Sequence, residues 1–504
     1  MSIRASRQVA AAPPSGRLTR YALALALALS LAWPLAAAPA AWADVRAEDV
    51  ILGETVEARG LPAVACPNVT AQFAILVGED GSVLFSRDAD ASSHIASITK
   101  VMTAIVALDS GLPLDTLVTV TPEAAAVGES SANLLAGDTL TLEAALTGLM
   151  VPSGNDAAIA IAETVGSSLA QQGQSPNDAF VAAMNAKAAE IGMTHSLFSN
   201  PHGLDIDEFD NEMYSTAQDV AVMCAYAMKN DTFRSIVAKP SAQIAVTRAD
   251  GQVATLDLTS SDMLLGVYEG ACGIKTGYTE AAGNSFAGAC NRGGGDLISV
   301  VLGCPSDTAR FDDTKILFNW VYDNRVSYKL AHSDRTATME VDGARREVPV
   351  IAEVPFTAWP DKRVPATLAD PDAAVEVFAP AGNVSQELVF DDLPGSVRAG
   401  DKVGTANFYQ GGQLIATQDL LACENAAAPD FFQGIGIWWD RLWHGLAGED
   451  LVAEPVVVNE CPLIYDKSST RGAQSVAALA SGEEDGSDEP RDDQQADPAA
   501  GSGE

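Results

Sequence analysis

The segment that most constrains the fold is Ser97–Leu108. Ile98, Val101, Met102, Ile105 and Leu108 recur there at helical spacing, and the residues between them are almost as apolar. A helix with no polar face is stable only when other elements wrap it. Its single charge, Lys100, travels into the interior with it. Any fold for this chain has to be built around that helix.

The flanking pattern indicates what surrounds it. Residues 71–86 read as a hairpin: Gln72–Val77 and Val83–Phe85 flank the turn Glu79-Asp80-Gly81-Ser82. An apolar helix is expected over Leu140–Met150, then a loop at Val151-Pro152-Ser153-Gly154-Asn155, with a helix restarting near Asp156. Ser175-Pro176 caps a helix through Ile191, and Ser215 is expected to cap another through Met228. Ser285–Cys290 and Leu297–Leu302 form a second hairpin around Asn291–Gly295, followed by a helix near Asp307–Val321. Strands come first, helices fill the middle and strands return. The expectation is an α+β fold, an antiparallel sheet covered by helices, over residues 67–330. From 333 to 424, short β-branched segments such as Thr336–Val341, Ala374–Val377 and Gln413–Thr417 alternate with Pro, Gly and Asp, indicating a small all-β domain.

Both ends read differently. Residues 1–43 carry Arg4, Arg7, Arg17 and Arg20 and no acid, then an apolar run Tyr21–Leu35 broken by Pro34, and end in Ala41-Trp42-Ala43. That pattern is expected of a cleaved signal peptide, with an uncleaved membrane anchor as the rival reading, and it places the chain outside the cytoplasm, in the cell envelope or on the outer face of the membrane. At 430–447, Phe431, Phe432, Ile435, Trp438, Trp439, Leu442, Trp443 and Leu446 make an aromatic amphipathic helix, either membrane-docking or core-packing. Residues 448–504 are expected to be an acidic disordered tail; the last 24 residues hold nine acids and one Arg.

The formal net charge of -37 makes nucleic acid an unsuitable partner. None of the seven cysteines has Cys-x-x-Cys spacing, so no metal site or redox motif is expected.

Three short motifs occur in order: Ser97-Ile98-Thr99-Lys100, Ser153-Gly154-Asn155 and Lys275-Thr276-Gly277. Ser97 and Lys100 share a helical face. A serine hydroxyl becomes a nucleophile only when a neighbour accepts its proton, and an ammonium cannot do so. Lys100 therefore has to be neutral for part of the cycle, which burial and a second cation, Lys275, both favour. Ser153 suits a proton relay and Asn155 an orienting amide. The Lys275-Thr276-Gly277 segment reads as an edge strand whose ammonium and hydroxyl suit a substrate carboxylate, with Gly277 clearing space. The N–H groups of Ser97 and Tyr278 are the candidates for an oxyanion hole. Ser97/Lys100 is the single Ser-x-x-Lys in the chain, whereas Ser131-Ala132-Asn133 and Ser175-Pro176-Asn177 also match the second motif.

With these motifs the sequence resembles the low-molecular-mass penicillin-binding proteins, the serine-type D-alanyl-D-alanine carboxypeptidases. The resemblance extends to Phe198-Ser199-Asn200-Pro201-His202-Gly203-Leu204-Asp205 and to Gly273–Thr279 followed by Ala281-Ala282-Gly283. It implies the penicillin-binding, β-lactamase-like transpeptidase fold and no cofactor. It implies removal of the terminal D-alanine from a peptidoglycan stem peptide ending in D-Ala-D-Ala through an acyl-enzyme on Ser97, with β-lactams as inhibitors. It also likens 430–447 to a membrane-contacting segment. Thr259-Ser260-Ser261 stands where relatives often carry a carboxylate-binding cluster, and His202 is expected to be structural. Two alternatives remain: a class A-like β-lactamase, although no Glu-x-x-x-Asn occurs in 166–215, and a catalytically silent wall-binding protein of the same fold.

Overall fold

The computed structural model describes residues 45–205, 213–446 apart from 294 and 342, and 451–464. The expected signal peptide and most of the expected tail lie outside the described residues.

A seven-stranded antiparallel sheet runs in the order Glu54–Thr55, Val50–Ile51, Val83–Arg87, Phe73–Val77, Leu297–Cys304, Gly283–Cys290, Ala271–Thr279. Its central strands read as nearly continuous apolar runs because both faces are covered. Along Phe73–Val77, Ile75 enters one core while Ala74 and Leu76 enter the other. The first core holds the buried helix Lys100–Asp109 among helices Leu142–Met150, Asn155–Leu169, Pro176–Ile191 and Ala217–Ala227. The second is closed by helix Asp307–Asp323, through Phe311, Leu317 and Phe318. The architecture is α+β with an additional C-terminal all-β domain.

Local chemistry sets the boundaries. Ser175 accepts from Asp178 N at 3.1 Å, with Pro176 opening the helix that ends at Ile191. Two expectations shift. Thr216, and not Ser215, caps the next helix by accepting from Asp219 N at 3.0 Å. Ser215 is spent instead on Ser196, Oγ to Oγ at 2.8 Å. Ser97 lies in a short 3₁₀ turn, Ala96–Thr99, that feeds the α-helix beginning at Lys100.

The sheet also begins upstream of residue 67. Val50 and Ile51 pair with Ser86 and Phe85, and Asp49 forms a buried ion pair with Arg87 at 2.6 Å. A four-stranded antiparallel sheet of Leu117–Thr119, Thr139–Thr141, Ser241–Thr247 and Val253–Thr259 adds a second layer beside the helices.

In the C-terminal domain, six strands run in the order Val384–Phe390, Lys402–Gln410, Gln413–Ala422, Arg363–Leu368, Ala352–Pro355, Val456–Val457. The last of these corrects the expectation of disorder across 448–504. Val456 and Val457 pair with Glu353 and Ala352. The buried Asn459 side chain donates to Leu330 O at 3.0 Å and accepts from His332 N at 2.7 Å. The acids concentrate near the end of the chain, whereas 451–464 holds valines that can complete a sheet edge. The aromatic helix Phe431–Leu446 therefore lies between two strands of one sheet and has no buried residue.

Candidate active site

The helix carrying Lys100 is apolar on every side, and the structure buries its lysine completely. Among the described residues the Lys100 amine has two hydrogen-bond contacts: Nζ lies 2.8 Å from Ser97 Oγ and donates to His202 O at 2.7 Å. Burial first, then the Lys275 charge, push the Lys100 amine well below the ordinary lysine range, against the pull of Asp156. His202 contributes its main-chain carbonyl. Its ring accepts from Leu204 N at 3.1 Å, and burial followed by Lys100 lowers it to about 3, so the ring is neutral.

Ser153 and Asn155 arrive from the loop between two apolar helices. Ser153 sits at φ +69°, and the loop is tied down on both sides. Gly154 N donates to Gly148 O at 3.0 Å, and Asn155 N to Ser130 O at 2.8 Å. Asn155 Nδ2 donates to Gly128 O at 3.0 Å, while Oδ1 is buried with no hydrogen-bond partner among the described residues. The Asn155 amide is thus anchored on the 128–134 loop through its nitrogen. Asp156 holds the same loop, accepting from Ser131 Oγ at 2.6 Å, Ala132 N at 2.9 Å and Leu134 N at 3.1 Å.

The third motif lies on the edge strand Ala271–Thr279. Lys275 is buried and donates to Thr276 O at 2.9 Å. Burial and then Arg310 lower it to about 7. Gly277 packs on the Ser97 turn so closely that a Cβ there would lie 2.6 Å from Ile95 O. Tyr278 is exposed at the mouth. Ser97, Ser153, Asn155, Thr276, Gly277 and Tyr278 line one cavity of about 450 Å³, with the two lysines buried behind it. Among the described residues no group of three or more His, Cys, Asp or Glu could hold a metal ion.

Among the other residues that line this cavity, Ser261 and Arg310 lie against the third motif. Ser261 Oγ meets Thr276 Oγ1 at 2.6 Å. Arg310, on helix Asp307–Asp323, donates to Gly277 O at 3.2 Å and pairs with Asp307. Its Nε is buried with no partner among the described residues. Nothing local in the sequence marks an arginine 33 positions beyond the glycine it touches. The usable signal was the helix that follows the second hairpin, whose first turns pack behind the motif strand.

A family profile described as D-alanyl-D-alanine carboxypeptidase matches residues 61–306. The D-alanyl-D-alanine carboxypeptidase of Streptomyces sp. strain K15 is 34% identical over 246 residues, 48% of this chain and 82% of that protein. DacB2 of Mycobacterium tuberculosis, with the same description, is 37% identical over 264 residues, 51% of this chain and 84% of that protein. The chain belongs to the D-alanyl-D-alanine carboxypeptidase family. DacC of Escherichia coli, another D-alanyl-D-alanine carboxypeptidase, is 28% identical over 393 residues, 75% of this chain and 88% of that protein. Its match is too long for the catalytic region alone. The solved Streptomyces K15 DD-transpeptidase aligns with a TM-score of 0.48 and 32% identity over 51% of this chain and 98% of that one.

Proposed function

We propose that this protein is a serine-type D-alanyl-D-alanine carboxypeptidase that removes the terminal D-alanine of a peptidoglycan stem peptide through an ester on Ser97. The observation that carries this reading is the 2.8 Å contact between Ser97 Oγ and a lysine amine that burial favours in its neutral form. In the first half-reaction Lys100 Nζ takes the Ser97 proton as Oγ bonds to the penultimate D-alanine carbonyl. The N–H groups of Ser97 and Tyr278 receive the oxyanion. As the C–N bond breaks, the proton reaches the departing amine through Ser153, and Asn155 orients the peptide amide. In the second half-reaction water gives a proton to Lys100 and bonds to the ester carbonyl, and Lys100 returns that proton to Ser97 Oγ as the C–Oγ bond breaks.

The substrate ends in a carboxylate, and one wall of the cavity is built for an anion. Thr276 and Ser261 offer hydroxyls there, and Lys275 and Arg310 offer cations. Arg310, with an idle buried Nε, is the residue that complements Lys275 in holding that group. β-Lactams, which carry both an acyl group and a carboxylate, fit the same cavity and acylate Ser97.

The test is D-alanine release from a pentapeptide ending in D-Ala-D-Ala, with mass spectrometry of a penicillin adduct. Activity and a stable adduct are expected in the native chain and neither in Ser97→Ala. Fast turnover of penicillin would favour the β-lactamase reading, and absence of both in the native chain the silent one.

The finer placement is also a proposal: cleavage after Ala43, export, and a peripheral contact of Phe431–Leu446 with the outer membrane face. Phe432 is 81% exposed and Trp438 60% exposed, while Arg441 turns inward to Thr357 O at 2.6 Å, so the helix presents aromatics outward from a fixed base. No helix of the described residues is long and apolar enough to cross a membrane. Co-sedimentation with lipid vesicles, lost in a Trp438→Ser/Trp443→Ser double variant, tests this.

A further inference from the structure

Residues 259–262 leave the four-stranded sheet and approach the Lys275 strand. Ser261 N donates to Val151 O at 3.3 Å, and Ser261 Oγ meets Thr276 Oγ1 at 2.6 Å. The turn is thereby fixed between the Ser153 loop and the motif strand. Asp262 follows immediately. Its N–H donates to Ser260 Oγ at 3.1 Å, and its Oδ1 accepts from Leu264 N at 2.8 Å. Its Oδ2 is buried with no hydrogen-bond partner among the described residues, and the residue is only 7% exposed.

A buried carboxylate with one oxygen idle is costly unless a cation compensates it. Lys275 Nζ lies 3.5 Å from Thr276 Oγ1, the same atom that Ser261 Oγ touches, so the Asp262 turn sits beside the lysine; Lys275 on the edge strand and Arg310 on helix Asp307–Asp323 are the cations that act on Asp262. Asp307 in turn pairs with Arg310, and Cys272 is the remaining titratable group that feels Asp262. Asp262 does not line the cavity, whereas Ser261, Thr276 and Arg310 do. It lies behind the wall that faces the substrate.

We propose that Asp262 is a positioning residue for the reaction, a buried counter-charge that keeps the Lys275 ammonium charged and so keeps the wall able to hold the substrate's terminal carboxylate. This rests on the carboxypeptidase reading above. The electrostatics agree in direction. Burial raises Asp262 to about 6, and burial with Arg310 lowers Lys275 to about 7, while Asp262 alone among the causes lifts Lys275. Below pH 6 the carboxyl takes its proton, but Lys275 is then charged without help. Above pH 6 the carboxylate delays the loss of the Lys275 proton. Removing it should matter on the alkaline side only.

The experiment compares kcat/KM from pH 5 to 9 in the native chain, Asp262→Asn and Asp262→Glu. The substrates are a D-Ala-D-Ala peptide and the same peptide with a C-terminal amide. For the acid peptide, Asp262→Asn should match the native chain at pH 5.5. It should lose the alkaline limb earlier, by about half a pH unit, which is roughly a threefold fall at pH 8 carried by KM. Asp262→Glu should restore the limb. The amide peptide should show no shift, a pattern that general loosening of the fold does not produce. Superimposable limbs in the native chain and Asp262→Asn, or an equal shift with the amide, overturn the inference. Should Asp262→Asn not fold, Asp262→Ser takes its place. The native chain alone must still show an alkaline rise of KM for the acid peptide and none for the amide, and its absence also overturns the inference. A native chain that releases no D-alanine and takes no penicillin label removes the carboxypeptidase reading instead.

Discussion

Gly277→Ala tests the central geometry, because one methyl group would separate the two halves of the site. A Cβ at 277 would lie 2.6 Å from Ile95 O, 3.2 Å from Ile98 Cγ1 and 3.4 Å from Ala96 Cβ. Ordinary contact begins near 3.4 Å, so the edge strand and the Ser97 turn must part by about 0.8 Å. The turn cannot yield cheaply, since Ala96 already sits at φ +47° and Ile98 is fully buried. The strand is paired on one side only, so it moves. A displacement near 1 Å costs about a hundredfold in a positioned reaction, and 0.8 Å about thirtyfold or more. Stability should fall by only about 1–2 kcal/mol, the range for mild overpacking. The assay is the acylation rate with a fluorescent penicillin beside urea denaturation, with Gly395→Ala as control, since nothing lies within 4 Å of a Cβ at 395 and its φ is not positive. If Gly277→Ala acylates within threefold of the native rate while folding normally, the close apposition of turn and strand does not set the rate and the reasoning is refuted.

Three further outcomes are expected. Lys275→Met should stabilise the fold while abolishing useful activity. Lys275 is lowered from 10.5 to about 7, so between those values the unfolded chain binds more protons and native stability rises with pH, the penalty being complete below 7. Urea denaturation should show a gain of about 4 kcal/mol at pH 7 that fades towards pH 10. Arg310→Gln should raise KM for peptides ending in a carboxylate by about tenfold or more, with little change for the amidated peptide, as steady-state kinetics will show. Asp156→Ala removes the acceptor for Ser131 Oγ, Ala132 N and Leu134 N; calorimetry should record a loss of about 3 kcal/mol.

The proximity of the candidate site residues was legible because they sit in short motifs with local geometry. Ser97 and Lys100 are one turn apart, and Lys275-Thr276-Gly277 occupies consecutive positions of one strand, so spacing alone constrains their neighbours. The central helices were legible for a similar reason, as caps such as Ser175 announce themselves. The strands of the four-stranded sheet were missed although Asp250-Gly251 joins two alternating segments, Ser241–Thr247 and Val253–Thr259. The rest had no local signal. Arg310 reaches Gly277 and Asp49 reaches Arg87 only through tertiary pairing, and Asp262 differs from an ordinary turn aspartate only in being buried. Val456–Val457 is too short to read as a strand until the edge at Ala352–Glu353 is known.

Two buried lysines next to each other cannot both be ammonium without severe cost, so the fold must decide which one keeps its proton. The partners divide clearly. Lys275 has the Thr276 carbonyl, the Thr276 hydroxyl at 3.5 Å and the Asp262 charge, all of which favour a cation. Among the described residues Lys100 has one carbonyl and the Ser97 hydroxyl, and Asp156, whose charge favours its cation, is already committed to Ser131 and three main-chain amides. The proton therefore settles on Lys275 and leaves the Lys100 lone pair facing Ser97. A charged Lys275 then depresses Lys100 further, so holding the substrate's carboxylate and activating the hydroxyl are two results of one proton placement. Rising pH that discharges Lys275 should weaken the first alone, because burial is the larger cause that keeps the Lys100 amine neutral, and removing Arg310 should weaken the same one.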